Sequence, residues 1–330
     1  MKLLIYLFLF FQDSPMIFLE ENGVTIKCAL SAKIGETYEL NNKTYLIVDN
    51  QMLYDLVKNN KSTENLVTTF VTDMSYLFYK KKDFNEDISH WDVSNVTNMT
   101  FMFGFSEEFD ADLSYWNTGK VIYFSDMFHG TKNFNSDVSN WNVSSGTHFN
   151  GMFYDSNFNN PINSWNVSKA INMSGMFDDA IKFNQPLFNW DVSNVEFMGG
   201  MFAEAISFNQ NISMWNVQKV ENMDNMFRNA STFSQDLSSW APNITGIPSN
   251  FQKNNSFIIP RFKVVESDAN QNTFVTAIKF LIVPILVLVF LLFHFILKRQ
   301  ALKKSVILFS RHENTFYYKG KKLILNPLNH

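Results

Sequence analysis

The chain has 330 residues, room for about two domains, and a formal net charge of −4. Hydrophobic residues make up 46% and charged residues 18%, which excludes a disordered or collagen-like chain. The single cysteine, Cys28, excludes an intrachain disulfide framework, and the main body lacks the basic excess of a nucleic-acid binder.

The composition is skewed toward 35 Phe and 40 Asn, with only 12 Gly and 8 Pro. Charge is also uneven. Residues 298–330 carry eight Lys/Arg against one acid, Glu313, a net of +7, which leaves −11 for the rest. At the N-terminus, Lys2 precedes the apolar run LLIYLFLFF (3–11), the layout of a secretory signal, so 1–15 reads as a signal peptide. No small-residue cleavage pattern follows, and translation from Met16 would remove the signal altogether. Residues 16–65 read as an N-terminal cap or leader module, with a strand in TYLIVD (Thr44 to Asp49) and a helix in QMLYDLVKN (Gln51 to Asn59).

The middle of the chain is a repeat. Its seven tryptophans, Trp91, Trp116, Trp141, Trp165, Trp190, Trp215 and Trp240, are spaced by 25, 25, 24, 25, 25 and 25 residues. Seven residues before each stands a Phe (Phe84 through Phe233), and three before stands an aliphatic residue (Ile88 through Leu237). A Met-Phe pair follows by eleven and twelve, giving Phe103, Phe128, Phe153, Phe177, Phe202 and Phe227. Trp91 and Val93 alternate with Asp92 as in a short strand, and Val96, Met99 and Phe103 recur as on a helical turn. No unit of this size can bury its own Trp, Phe and Met, so the units must stack. The expected fold is α/β: a leucine-rich-repeat-like solenoid of about seven 25-residue repeats over 66–251, plus one C-terminal transmembrane helix. Seven rungs at the strand spacing give a rod of about 34 Å.

Two polar columns accompany the core. One residue after Trp come Asp92, Asn117, Asn142, Asn166, Asp191 and Asn216, expected to bond the backbone of the next rung. Four before Trp come Asp87, Asp112 and Asp137, either solvated or a cation ladder for an ion such as Ca²⁺. His90, His129 and His148 sit at different offsets from Trp, so they are expected as isolated surface histidines rather than a metal site. No catalytic constellation, phosphate loop or cofactor motif is present. The many Asn-x-Ser/Thr triplets follow automatically from wording such as SNVTNM and carry no weight as glycosylation signals.

Residues 252–273 are polar and read as a stalk. Phe280 to Leu297 (FLIVPILVLVFLLFHFIL) has no formal charge, and 274–297 reads as a transmembrane helix. The basic cluster Lys298, Arg299, Lys303 and Lys304 after it marks that side as cytoplasmic, making 298–330 a basic cytoplasmic tail. Ser305 to Leu325 alternates weakly, as for a small hairpin across Lys319-Gly320.

Segments such as FNEDISHWDVSNVTNMTFMF (Phe84 to Phe103) and FNQPLFNWDVSNVEFMGGMF (Phe183 to Phe202) resemble the BspA-like surface-protein repeat, over about Val67 to Phe251. IFLEENGVTIKC with GETYELNNKTYLIVDN is similar to the leader module that often precedes such repeats. The resemblance implies a leucine-rich-repeat-like solenoid, attachment or protein binding at a cell surface, and no catalytic residues. The partners so implied are a protein or cell-surface ligand and the membrane, crossed once with the solenoid outside. The other class of reading is an intracellular membrane-anchored scaffold translated from Met16.

Overall fold

The computed structural model describes residues 15–252 and 257–263, and the backbone of three short strands between 308 and 324. The chain divides into two units, Met1–Val264 and Val265–His330.

The first unit begins with a small β module. Strand β1 (Ile17–Leu19) pairs antiparallel with β2 (Ile26–Cys28). Strand β3 (Thr37–Leu40) pairs antiparallel with β4 (Lys43–Ile47), and β4 runs parallel to β5 (Leu66–Val67). The β3–β4 turn holds Asn41 and Asn42 at φ 51° and 61°, the left-handed pair that a tight hairpin needs and that asparagine tolerates. Helix α1 (Asn50–Lys58) starts where Asp49 Oδ1 accepts from the Met52 amide at 2.9 Å. It turns Leu53 and Val57 inward. The strand and helix expected in this segment are therefore present, each within a residue or two of its sequence bounds.

From Val71 onward each 25-residue unit is a rung bonded to the next. Parallel bridges join Asp73 to Asn98, Asn98 to Tyr123, Tyr123 to His148, His148 to Asn172, Asn172 to Phe197 and Phe197 to Asn222. The strand over Trp91–Val93 and the helical turn after it do not form. Among the described residues of the repeats, each rung is instead a run of tight turns, such as Trp91 N to Ile88 O (3.1 Å), Val96 N to Val93 O (2.9 Å) and Met102 N to Met99 O (3.1 Å).

The cause lies in the backbone beside the bridges. Met99, Phe101 and Phe103 donate to the carbonyls of Tyr123, Ser125 and Met127 in the next rung, each at 2.9 Å, and Phe105 donates to His129 at 2.6 Å. Met102, Gly104 and Ser106 donate back within their own rung. Amides that bond the next rung thus alternate with amides that bond three residues back in their own, a pattern of tight turns rather than of a regular strand or helix. The alternation requires left-handed backbone ten and fourteen residues after each Trp. The first column is Phe101, Asp126, Gly151, Gly175, Gly200, Asn225 and Asn250; the second is Phe105, Gly130, Asp155, Asp179, Glu204 and Asn229. Tyr76 and Lys80 begin the two columns in the half-rung before the first Trp.

The core consists of side-chain columns. All seven tryptophans are buried, none more than 4% exposed, and the Phe of each Met-Phe pair from Phe103 to Phe227 is fully buried. Trp141 and Trp165 stack at 6.4 Å and 2°, and Phe103 lies 3.9 Å from Phe109 in its own rung and 5.6 Å from Phe128 in the next. Tryptophan is required because its indole N–H crosses between rungs. Trp116 Nε1 donates to Ile88 O at 3.2 Å, Trp165 to Val138 O at 3.0 Å and Trp240 to Ile212 O at 3.1 Å. The same Ile88 and Val138 carbonyls also accept from Trp91 N and Trp141 N, each at 3.1 Å, so both lone pairs are used.

The last rung is closed by residues assigned in sequence to a stalk. Leu237 N donates to Ile258 O, and Arg261 N to Trp240 O. Phe257 lies against Phe227 and Phe233. Residues 257–263 are therefore a C-terminal cap, and a stalk beginning at 252 is corrected to that extent. Apolar Phe257, Ile259 and Phe262 supply the contacts that a polar linker lacks.

The second unit, taken by itself, contains an antiparallel sheet of β6 (Leu308–Ser310), β7 (Thr315–Tyr318) and β8 (Lys321–Ile324). Tyr318 pairs with Lys321, at the expected hairpin, and β6 adds a third strand on the other side of β7. Residues 1–14 of the expected signal peptide (1–15) and all of the expected transmembrane helix (274–297) lie outside the described residues. Among the described residues, no helix is long and apolar enough to cross a membrane.

Three substitutions test this architecture. Trp165→Ala should cost about 3–5 kcal/mol in denaturant unfolding. Trp165→Phe should lose about 1 kcal/mol from the missing hydrogen bond, besides the smaller ring's packing loss. Gly200 sits at φ 65° with nothing nearer than 3.5 Å to a built Cβ, so Gly200→Ala should cost about 1–2 kcal/mol from backbone conformation alone. An unchanged melting curve for Gly200→Ala would refute the left-handed column as a determinant of stability.

Candidate interaction face

With the core columns inward, chemistry is left to the side chains that point out of the rungs. Asp92, Asn117, Asn142, Asn166, Asp191 and Asn216 do not bond the next rung through their carbonyl or carboxylate oxygens. Each Oδ1 accepts from the amide two residues on in its own rung, as Asn142 does from Ser144 at 3.1 Å and Asp191 from Ser193 at 3.0 Å. A short side chain beside a turn reaches its own backbone before its neighbour's.

The inter-rung role belongs to a column not singled out in the sequence, six residues before Trp. Asn85 Oδ1 accepts from Asp110 N at 3.0 Å, Asp110 from Asn135 N at 2.9 Å, Asn135 from Asn159 N at 2.8 Å, and Asn159 from Asn184 N at 2.9 Å. Asn184 and Asn209 continue it, each at 3.0 Å. The Phe-Asn dipeptide repeated in the sequence was the available signal.

Asp87, Asp112 and Asp137 are also turn caps. Their Oδ1 atoms accept from the amides of Ser89, Ser114 and Ser139 at 3.0, 2.9 and 2.8 Å. Hydrogen bonds from Ser89 and Ser139 hold the carboxyls of Asp87 and Asp137 below the ordinary value. Among the described residues, no group of three or more His, Cys, Asp or Glu gathers in a metal-holding arrangement.

The three histidines separate. His90 is not a surface residue of the kind expected. It packs edge-on to Tyr45 at 6.0 Å, its Nε2 is buried with no hydrogen-bond partner among the described residues, and burial lowers its pKa. The leader module causes this, because Ile26 N bonds His90 O and brings β2 over the first rung. It also buries Asp92, whose Oδ2 has no partner there. His148 lies beside Tyr123 at 5.2 Å. His129 belongs to a larger group, its Nδ1 lying 3.1 Å from Asp126 Oδ1.

That group runs along the left-handed columns. Tyr76 stacks on Phe101 at 5.2 Å, and Tyr79 meets Phe101 and Phe105 edge-on at 5.5 and 5.8 Å. Phe105 and Tyr154 flank His129 at 4.5 and 4.4 Å. Beyond Tyr154 the second column turns acidic, with Asp155, Asp179 and Glu204, and Asp178 stands beside it. Lys132 pairs with Asp155, and Arg228 reaches Glu204 at 2.7 Å and Asp178 at 3.9 Å. Burial pushes the Asp178 carboxyl up to about 6; the charges of Asp179 and Glu204 add to this, and Arg228 opposes it. A hollow of about 600 Å³ lies here, lined by Asp178, Gly199, Gly200, Asp224 and Arg228 among others.

A family described as "Mycoplasma protein of unknown function, DUF285" matches residues 49–160 and again 147–261, together more than half of the chain. The chain belongs to this family. Neither a curated protein nor a solved structure matches it. The two family matches run from the cap of α1 to the C-terminal cap. They include the aromatic and acidic columns and leave out β1 to β4.

Asp178 gives the pH prediction. Its folded pKa of about 6 exceeds the ordinary value of 3.8, so the folded chain holds a proton there that the unfolded chain lacks. The resulting stability is fully present below pH 3.8 and is lost as pH rises through 6. Asp178→Asn should flatten this part of the stability-against-pH curve. An unchanged slope would place the titration elsewhere.

Proposed function

We propose that this chain is a non-enzymatic surface protein that binds macromolecules through its repeat array. In this reading the array is a leucine-rich-repeat-like solenoid of the BspA-like kind, carried outside the cell on a single span at 274–297 with the basic tail inside. The observation that carries the reading is the division of labour within each rung. The buried columns repeat Trp, Phe and Met almost without change, while the half-buried left-handed positions carry Tyr76, Phe101 and Phe105 at one end of the array and Asp155, Asp179 and Glu204 further along. A fixed core with a graded outer face is what an extended recognition surface requires, since function in a repeat fold lies in the exposed side chains. Attachment to a surface and adhesion follow from the resemblance of the repeats, and no cofactor is needed.

The deciding measurement is protease treatment of intact cells that express the chain with a C-terminal epitope tag. External protease should remove the repeats and leave a tagged fragment of the span and tail. Protection of the repeats until the membrane is broken would overturn the surface reading in favour of an intracellular scaffold starting at Met16.

A further inference from the structure

We propose that the aromatic and acidic columns form one docking face for an extended, Lys/Arg-rich segment of a partner protein. The inference rests on the array being a binding surface, and it names the face and the partner's chemistry.

The aromatic end is not required by the core. Tyr76 is 46% exposed, and Tyr79, Phe101 and Phe105 are half-buried outside the fully buried columns. Tyr76, Phe101 and Phe105 also occupy left-handed positions, at φ 57°, 52° and 60°, which later rungs give to Gly, Asn, Asp or Glu. Each bulky residue there costs about 1–2 kcal/mol of backbone energy. Stability of the rungs favours glycine, so the ring platform answers a different requirement.

The rings already hold a cation. Lys80 Nζ lies 4.9 Å from the centroid of Tyr79 and 6.0 Å from that of Phe105, within the range of cation–π attraction. The acidic end does the same with Arg228, held by Glu204 and Asp178. Counting both ends, the face carries Asp126, Asp155, Asp178, Asp179, Glu204 and Asp224 against Lys132, Arg228 and Lys80, an excess of carboxylate. Gly199 and Gly200 place no side chains in the hollow between Asp178 and Asp224, leaving about 600 Å³ open, room for a guanidinium. Electron-rich ring faces followed by carboxylates match a polycation along their whole length, and a neutral sugar would leave the carboxylate excess unanswered. From Tyr76 to Asn225 the face spans six rung steps, about 29 Å, which is the length of about nine extended residues.

The test uses the full chain in mild detergent and a fluorescein-labelled nona-arginine peptide, read by anisotropy at low and physiological salt. A nona-glutamate peptide and maltoheptaose serve as competitors. The wild-type chain should bind nona-arginine, and neither competitor should displace it. F101G/F105G should weaken binding at least tenfold. Glycine suits both left-handed positions, so this variant should melt no lower than the parent through its backbone, and the melting curve is recorded beside the binding curve. D178N/E204Q should weaken binding and reduce its salt dependence. Equal binding by the parent and F101G/F105G, or displacement by maltoheptaose, overturns the proposal. Protease exposure of the repeats on cells without nona-arginine binding would sink this inference and leave the surface reading standing.

Discussion

Alternate backbone amides along one edge of each rung must find carbonyls in two different rungs, and the other features of the array follow from this. Met99, Phe101, Phe103 and Phe105 reach forward, while Met102, Gly104 and Ser106 reach back. The backward bonds span three residues within one rung, which makes the pattern one of tight turns. The rung therefore bends repeatedly, and the bends fix two left-handed positions per unit. Those positions put their side chains outside the core, on the face where the aromatic and acidic columns lie.

The opposite requirement governs the interior. A chain of turns has little regular structure of its own to hold it in place. Cohesion between rungs must come from side chains, and the Trp column supplies it twice over, through ring stacking and through the indole N–H. The carbonyl three residues before each of the first six tryptophans takes both its own rung's Trp amide and the next rung's indole, so one acceptor ties two rungs together. The Asn column six residues before Trp repeats the device at a second place around the rung, from Asn85 to Asn209. These polar ties are directional, while the Phe and Met columns are not, so the ties hold the rungs in register.

Much of this was legible in the sequence because it repeats. The Trp, Phe and Met columns stand in one frame, and the frame alone gives the stacking. The roles of the polar columns were not legible, because spacing does not say which backbone a side chain reaches. Asp92 through Asn216 have the spacing of an inter-rung ladder but cap their own turns, whereas Asn85 through Asn209 reach across. The strand and helical turn expected around Trp91 and Phe103 failed for a similar reason. Apolar periodicity records which side is buried, and a string of turns buries the same residues as a helix would. The candidate face was harder still to read. Tyr76, Phe101 and Phe105 look like core aromatics in the sequence, and only their left-handed backbone and outward packing separate them from Phe103.

The one 24-residue unit shows how much variation the array absorbs. The missing residue falls between Phe153 and Phe158, yet these rings stand 4.0 Å apart, as against 3.9 Å for Phe103 and Phe109 in a full-length unit. The loss is taken up in a bend and does not propagate, since Trp165 still stacks on Trp190 at 6.5 Å and 3°. Each rung also presents to the next the same edge that it receives from the one before. An array of such rungs could therefore gain or lose whole units without a new kind of junction. The leader and the terminal cap would survive each event unchanged, and the reach of the exposed face would become a heritable variable.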